Sequence, residues 1–157
     1  SMESSFAKTR EVLADLGLDH IDETRMTHEL SGGQQQRLAF ARAILPDFTV
    51  LFGDEPTGNL DSDNAVKAME LLTAKLSSLS GSSAIIVSHD MHLAVSFADV
   101  IVKIRKESRP SASVKDEVSY YGVIDDKSVF TTDHNGKWSN GAEEYSPLDF
   151  ERYLKKW

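Results

Sequence analysis

Three stretches of the chain place apolar residues at the three- and four-residue spacing of an amphipathic helix. They are residues 6–18, 34–45 and 64–79. In the first of them, Val12, Leu13 and Leu16 recur between charged residues, and Gly17 is a residue type that commonly ends helices. The pattern therefore predicts three helices, with a polar and irregular connection between the first two.

Short runs of β-branched and other apolar residues follow these predicted helices. They occupy residues 49–52, 84–87 and 99–104, and a short helix is predicted at residues 92–98. Continuous apolar runs of this length are typical of strands that are buried on both faces of a sheet. The alternation of helices and strands favours right-handed crossovers and a parallel sheet, so an α/β fold is predicted.

The composition of the chain changes after residue 104. Residues 105–117 are charged and contain serine and proline, which predicts a loop or mobile link. Two strands are predicted at residues 118–124 and 128–132, and Ser146 followed by proline suits the start of a last helix, residues 148–157. The aromatic residues of this tail are predicted to pack it onto the main domain, with a partner-binding surface as the alternative.

Length and charge limit the classes of function. With 157 residues the chain can bury one core, so one domain with an appended piece is expected. There are 25 acidic and 17 basic residues, a net charge of −8, which argues against a nucleic-acid partner. No cysteine is present, which excludes disulfides and thiolate metal sites. No apolar run approaches the roughly 18 residues that a membrane-spanning helix needs.

A serine and two glycines stand directly before the second predicted helix. Ser31 is a favoured N-cap residue, and Gly32 and Gly33 have no Cβ to keep a ligand away from their N–H groups. The free N–H groups of the first turn and the positive end of the helix dipole would then face an anion such as phosphate. An ordinary capped helix is the alternative interpretation of these three residues.

Chemically active side chains follow two of the predicted strands. Asp54 and Glu55 come after residues 49–52, and two adjacent carboxylates there are costly unless a cation lies nearby. His89 follows residues 84–87, and a structural loop histidine is its alternative role. Because ligands bind at the carboxyl ends of strands in open α/β sheets, these three side chains are predicted to lie at one edge of the sheet.

Four segments together resemble one family. Residues 30–37, Leu-Ser-Gly-Gly-Gln-Gln-Gln-Arg, resemble the signature motif of ATP-binding-cassette (ABC) ATPases. Residues 53–57 resemble the Walker B motif, residues 59–61 resemble the D-loop, and His89 resembles the switch histidine. The resemblance implies a partial P-loop NTPase fold of the ABC type, with parallel core strands, part of the helical subdomain, and a tail of β-hairpin and helix.

The resemblance also implies roles for individual residues and two ligands, ATP and Mg²⁺. Asp54 would hold Mg²⁺, directly or through water, and Glu55 would act as the general base towards the attacking water. His89 would contact the γ-phosphate. The implied nucleotide-binding residues of the signature and the D-loop are Ser31, Gly32, Gly33, Gln34 and Asp61.

The implied parent protein is the ATPase subunit of an ABC transporter. Two nucleotide-binding domains would sandwich ATP head to tail, bound to transmembrane permease subunits at the cytoplasmic, inner face of a membrane. Residues 58–61, Gly-Asn-Leu-Asp, look most like the ATPases of the lipoprotein-release and macrolide-export type. The alternatives are a non-transport ABC ATPase acting on DNA or ribosomes, and a non-catalytic half-domain that complements a separate P-loop chain.

The sequence contains no G-x-x-x-x-G-K-[ST] phosphate loop. Residues 53–58 have its glycine spacing, but Asn59 and Leu60 stand where lysine and Ser/Thr are required. The resemblance covers about residues 10–104 and corresponds to the carboxyl half of the family's domain, so the chain alone is expected not to hydrolyse ATP. Three segments are expected. Residues 1–48 are the end of the helical subdomain with the signature helix, residues 49–107 are a core from Walker B to the switch histidine, and residues 108–157 are a tail of unassigned role.

Overall fold

The computed structural model describes residues 2–22, 24–110, 118–125, 127–133 and 135–156. The chain divides into two compact units, Ser1–Leu93 and Ala94–Trp157. The helices are α1 (Met2–Asp15), α2 (Gly32–Ile44), α3 (Ser62–Ser78), α4 (Met91–Phe97) and α5 (Pro147–Lys155). The strands are β1 (Val50–Asp54), β2 (Ser83–Val87), β3 (Val100–Val102), β4 (Arg105–Pro110), β5 (Val118–Val123), β6 (Val129–Thr132), β7 (Trp138–Ser139) and β8 (Glu144–Tyr145).

The helices of the first unit begin and end at residues whose chemistry fixes those points. After α1, Gly17 adopts a positive φ of 64°, a conformation that glycine enters without a Cβ clash. Ser31 and Asp61 are the N-caps of α2 and α3, and each side chain accepts a hydrogen bond from the backbone N–H three residues later. The helices predicted from the hydrophobic pattern are therefore confirmed, with small shifts at their ends.

The first unit contains a parallel pair of strands, β1 and β2, in which Leu51 lies opposite Ala84 and Gly53 opposite Ile86. This pair confirms the parallel core strands of the predicted α/β fold. Leu51, Ala84 and Ile86 pack against a hydrophobic core formed mainly by α2, α3 and the residues that follow α1. The buried residues of that core are Leu16, Leu18, Phe40, Ala41, Ile44, Ala68 and Leu72.

The prediction that β1 and β2 are buried on both faces is wrong. Successive side chains of a strand point to opposite faces, and the core of this unit covers only one of them. On the other face Phe52 is 75% exposed, and Ile85 and Val87 are also exposed. An apolar run signals that both faces of a strand are apolar, but it does not determine what covers them.

The third predicted strand does not join this parallel pair. β3 pairs antiparallel with β6, with Ile101 opposite Phe130, in a sheet of order β3-β6-β7-β8. The prediction of a loop is also wrong for residues 105–110, because these residues form β4, which pairs antiparallel with β5. Residues 111–117 of that loop lie outside the described residues. Strand pairing depends on partners far along the chain, which local composition does not reveal.

The second unit is held together by aromatic side chains. Phe130, Trp138 and Phe150 are buried, and the Trp138 and Phe150 rings stack with their centroids 5.0 Å apart. Helix α5 starts as predicted, with Ser146 as N-cap and proline in its first turn. Lys103 Nζ lies 4.3 Å from the centroid of the Tyr153 ring. No candidate for a membrane-spanning helix is found in the part of the chain that the structure describes.

Candidate functional site

The amino end of α2 is closed by a reciprocal pair of hydrogen bonds. Ser31 Oγ accepts from the Gln34 backbone N–H at 3.3 Å, and the Ser31 N–H donates to Gln34 Oε1 at 2.9 Å. These bonds hold the side chains of Ser31 and Gln34 at the helix end. The N–H groups of Gly32 and Gly33 in the first turn have no partner inside the helix.

The two glycines at this helix end have different surroundings. A Cβ added at Gly32 would meet nothing within 4 Å, so this side of the helix end is open. A Cβ added at Gly33 would lie 3.6 Å from the Asn59 carbonyl oxygen and 3.6 Å from Arg37 Nη1. The first turn of α2 therefore has one open side and one side that packs against the segment that follows β1.

Glu55 stands immediately after β1 and adopts an unusual backbone conformation. Its φ is 46°, the only positive φ at a non-glycine position among the described residues. Its N–H donates to the Val87 carbonyl oxygen of β2 at 2.9 Å, which continues the parallel pairing by one residue. Left-handed backbone at residues other than glycine is sparsely populated and concentrates at functional sites.

The carboxylate of Glu55 meets the imidazole of His89. His89 Nδ1 lies 2.8 Å from Glu55 Oε1. The hydrogen bond to Glu55, together with the charge of that carboxylate, raises the pKa of His89 above 6.5. Both side chains are accessible, with 78% of His89 and 37% of Glu55 exposed. The two residues follow the carboxyl ends of β1 and β2, and their direct contact is an addition to what the sequence predicted.

A small cavity adjoins this pair, with a volume of about 90 Å³. It is lined by Glu55, Thr57, Gly58, Leu60, Ser62, Ala65, Ser88, His89 and Asp90. One water needs about 10–15 Å³ by this measure, so the cavity holds a few waters and is too small for a nucleotide. A water molecule beside a carboxylate and an imidazole is the arrangement that general-base chemistry requires.

Asp54 is the last residue of β1 and is exposed, outside the set that lines the cavity. No cluster of three or more potential metal ligands occurs among the described residues. A single accessible carboxylate does not form a closed metal cage. It does fit Mg²⁺, which takes one or two protein carboxylates and fills its other positions with water and phosphate oxygens.

Asp61 is engaged as a helix cap. Its Oδ1 accepts the Asn64 backbone N–H at 3.0 Å, and its Oδ2 accepts from Asn64 Nδ2 at 2.7 Å. These hydrogen bonds, led by the one from the backbone, lower the pKa of Asp61. Asp61 is therefore the N-cap of α3, and its carboxylate remains exposed at the start of that helix.

Gln36 is a residue that the sequence analysis did not identify. Its Nε2 donates to the Glu55 carbonyl oxygen at 3.0 Å, and its Oε1 accepts from the Asn59 N–H at 3.2 Å. The side chain therefore joins α2 to the segment that follows β1. Its place two residues after Gln34 in the signature octet was the only sequence signal available.

Comparison with known proteins agrees with this geometry. Residues 3–58 match the family model described as ABC transporter. The lipoprotein-releasing system ATP-binding protein LolD of Syntrophotalea carbinolica is 45% identical over 95 residues, which are 59% of this chain and 40% of the relative. The macrolide export ATP-binding/permease protein MacB of Chlorobium phaeobacteroides is 36% identical over 138 residues, 84% of this chain and 20% of the relative.

A solved structure of an RNase-L inhibitor matches with a TM-score of 0.60 and 30% identity, over 74% of this chain and 20% of the other. This chain thus spans less than half the length of each of these relatives. The lipoprotein-release and macrolide-export types indicated by residues 58–61 both occur among them. Residues 3–58, which include α2 and β1, are thus similar to the ABC transporter family, and the chain is similar to part of the ATP-binding proteins among these relatives.

Proposed function

We propose that this chain supplies the water-activating and signature elements of an ABC ATPase that hydrolyses ATP to drive transport. The observation that supports this most directly is the Glu55–His89 pair, 2.8 Å apart, beside a cavity that can hold water. Two parallel strands end there, where open α/β sheets bind their ligands. The exposed carboxylate of Asp54 stands at the same strand end.

In this proposal Glu55 is the general base. Its Oε1 is occupied by His89, and Oε2 lies 3.6 Å from the position of a Cβ at Gly58, another residue that lines the cavity. Oε2 takes a proton from water as the water oxygen attacks the γ-phosphorus. The bond to the β–γ bridging oxygen then breaks and ADP leaves. His89 orients the Glu55 carboxylate and donates towards the γ-phosphate oxygens.

Asp54 would hold Mg²⁺, directly or through a water. When bound, the ion neutralises charge on the phosphate oxygens. The protein provides one exposed carboxylate for it, which matches an ion that keeps several of its waters.

The amino end of α2 would serve a second ATP, held by a partner domain. Ser31, Gly32, Gly33 and Gln34 present a capped helix end with an open side at Gly32, suited to a γ-phosphate. Asp61 would lie at the interface between the two nucleotide-binding domains. Because one ATP needs groups from both domains, hydrolysis requires a head-to-tail dimer.

The full protein's partners and location follow from the same proposal. We infer a second nucleotide-binding domain and transmembrane permease subunits, with this domain held at the inner, cytoplasmic face of the membrane by the permease. The relatives named for lipoprotein release and macrolide export support this inference. The functional segments would be the signature region at 1–48, the Walker B to switch region at 49–107 and a tail at 108–157.

The test is Mg-ATP turnover by the purified 157-residue chain. It is measured alone, then after mixing with a polypeptide that carries the phosphate-loop half of a related ATPase. We expect no turnover alone, and turnover on mixing that Glu55→Gln abolishes. Confirmed binding of the two polypeptides without turnover would contradict the catalytic role. Robust Glu55-dependent turnover by the chain alone would contradict the need for a second polypeptide.

A further inference from the structure

The side chain of Gln36 connects α2 to residues 55–59, the segment that follows β1. It donates to the Glu55 carbonyl oxygen and accepts from the Asn59 N–H, at 3.0 and 3.2 Å. Those bonds fix the orientation of the amide, because a flipped amide would face donor to donor and acceptor to acceptor. A half-buried amide with both ends satisfied holds its partners at fixed positions.

The backbone of Glu55 is held on both sides. Its N–H donates to the Val87 carbonyl oxygen at 2.9 Å. Its own carbonyl oxygen accepts the Gly58 N–H at 3.1 Å and Gln36 Nε2 at 3.0 Å. Of these three bonds, only the one from Gln36 comes from α2.

These bonds matter because Glu55 adopts a φ of 46°. A left-handed conformation at a residue with a Cβ is strained and persists only where the surroundings enforce it. The Glu55 side chain is 37% exposed, and the hydrogen bonds of its N–H and carbonyl groups hold the backbone on either side of its Cα. The direction of its Cα–Cβ bond, and with it the approach of the carboxylate to His89, therefore depends on the backbone hydrogen bonds.

The same helix turn contacts the D-loop segment at a second point. A Cβ at Gly33 would lie 3.6 Å from the Asn59 carbonyl oxygen, while the Asn59 N–H donates to Gln36. The first turns of α2 thus lie against both the N–H and the carbonyl oxygen of Asn59. A displacement of α2 would move the Gln36 amide relative to Glu55.

We propose that Gln36 is a positioning residue that holds Glu55 in its left-handed conformation and transmits the position of the signature helix to the Glu55 carboxylate. The catalytic meaning rests on the proposed function, in which the signature helix binds one ATP and Glu55 acts on the other. Binding at the amino end of α2 then changes the orientation of the Glu55 carboxylate at the other ATP site, and the Gln36 side chain transmits this change.

The test is NMR of the isotope-labelled 157-residue chain, without nucleotide. In the unsubstituted chain we expect Glu55 to show the strong amide–Hα cross-relaxation within one residue that a left-handed conformation produces. In Gln36→Ala we expect that signal to fall to the level of ordinary residues and amide exchange at Asn59 to quicken by about tenfold. Gln35→Ala is the matched control, because Gln35 Nε2 donates to the Leu30 carbonyl oxygen and not to Glu55.

Gln36→Glu separates the two contacts. A carboxylate still accepts the Asn59 N–H but cannot donate to the Glu55 carbonyl oxygen. We expect slow exchange at Asn59 together with loss of the left-handed signal at Glu55. Retention of that signal in either Gln36 variant overturns the proposal, and the glutamate variant decides the matter if the alanine variant does not fold. Because no ATP is involved, the outcome is independent of whether the mixed polypeptides hydrolyse ATP.

Discussion

His89 Nδ1 lies 2.8 Å from Glu55 Oε1, although 33 residues of sequence separate the two at the ends of β1 and β2. The parallel register brings them together, since Asp54 is opposite Val87 and the Glu55 N–H bonds to the Val87 carbonyl oxygen. The chain therefore presents a carboxylate one residue beyond β1 and an imidazole two residues beyond β2 to the same small cavity.

The Glu55–His89 pair predicts a pH-dependent property. The Glu55 hydrogen bond and charge raise the pKa of His89, so Glu55→Gln should lower that pKa towards 6.5. The stabilisation from the charged pair is present below the unfolded-state pKa and is lost as the pH rises through the raised folded-state pKa. The check is an NMR titration of the His89 ring in both chains. An unchanged His89 curve in Glu55→Gln would show that the contact does not persist in solution.

The parts of this site that could be predicted are those determined by neighbouring residues or by general topology. Ser31 was identified as a cap because an N-cap bonds to a backbone group only three residues further along the chain. The location of Glu55 and His89 at one edge of the sheet followed from the rule that ligands bind at the carboxyl ends of parallel strands. These relationships need no knowledge of which side chains pack together.

The parts that could not be predicted depend on contacts between distant residues. Gln36 bonds to a carbonyl oxygen 19 positions away, and nothing in its neighbourhood marks a glutamine for that contact. Likewise the antiparallel pairing of β3 with β6 could not be predicted, because the apolar residues of β3 fit either kind of pairing. The exposure of Phe52 was missed since composition describes a strand's surface and not its cover.

The ion pair of Lys75 and Asp47 predicts an acid-sensitive contribution to stability. Lys75 Nζ is buried and lies 2.7 Å from Asp47 Oδ1 and 3.3 Å from the Leu45 carbonyl oxygen. The hydrogen bond from Lys75 lowers the pKa of Asp47, so its contribution is present above 3.8 and is lost as the pH falls through the lowered folded-state pKa. Asp47→Asn should therefore lower the Tm near neutral pH.

The matched variant for this pair is Lys75→Met, which keeps the aliphatic stem and removes the buried charge. It should lower the Tm less than Asp47→Asn, because an unpaired buried ammonium is more costly than an apolar replacement. Thermal unfolding followed by circular dichroism between neutral pH and pH 3 measures both. A Tm difference between Asp47→Asn and the unsubstituted chain that does not shrink on acidification would contradict the assignment.

Leu72 measures how much the helical core stabilises the first unit. It is 2% exposed on α3 and belongs to the same cluster as Leu16 and Phe40. Leu72→Ala should cost about 2–5 kcal/mol, from lost burial and the cavity that remains. Phe52→Ala removes a larger side chain that is 75% exposed, and it should cost well under that amount. Urea unfolding of the two variants would refute the described packing if their order were reversed.

The substitution Gly32→Ala distinguishes an effect on ligand binding at the signature helix from an effect on the stability of the fold. A Cβ there meets no atom within 4 Å, and alanine is the better helix former, so Gly32→Ala should leave the Tm unchanged or slightly raised. In the proposed dimer the added methyl group would occupy the open side of the helix end, where the γ-phosphate of the partner's ATP would lie. Turnover by the mixed polypeptides should therefore fall by at least about tenfold, which corresponds to about 1.4 kcal/mol of transition-state stabilisation. Full turnover in a Gly32→Ala chain of normal Tm would mean that phosphate does not approach this side of α2.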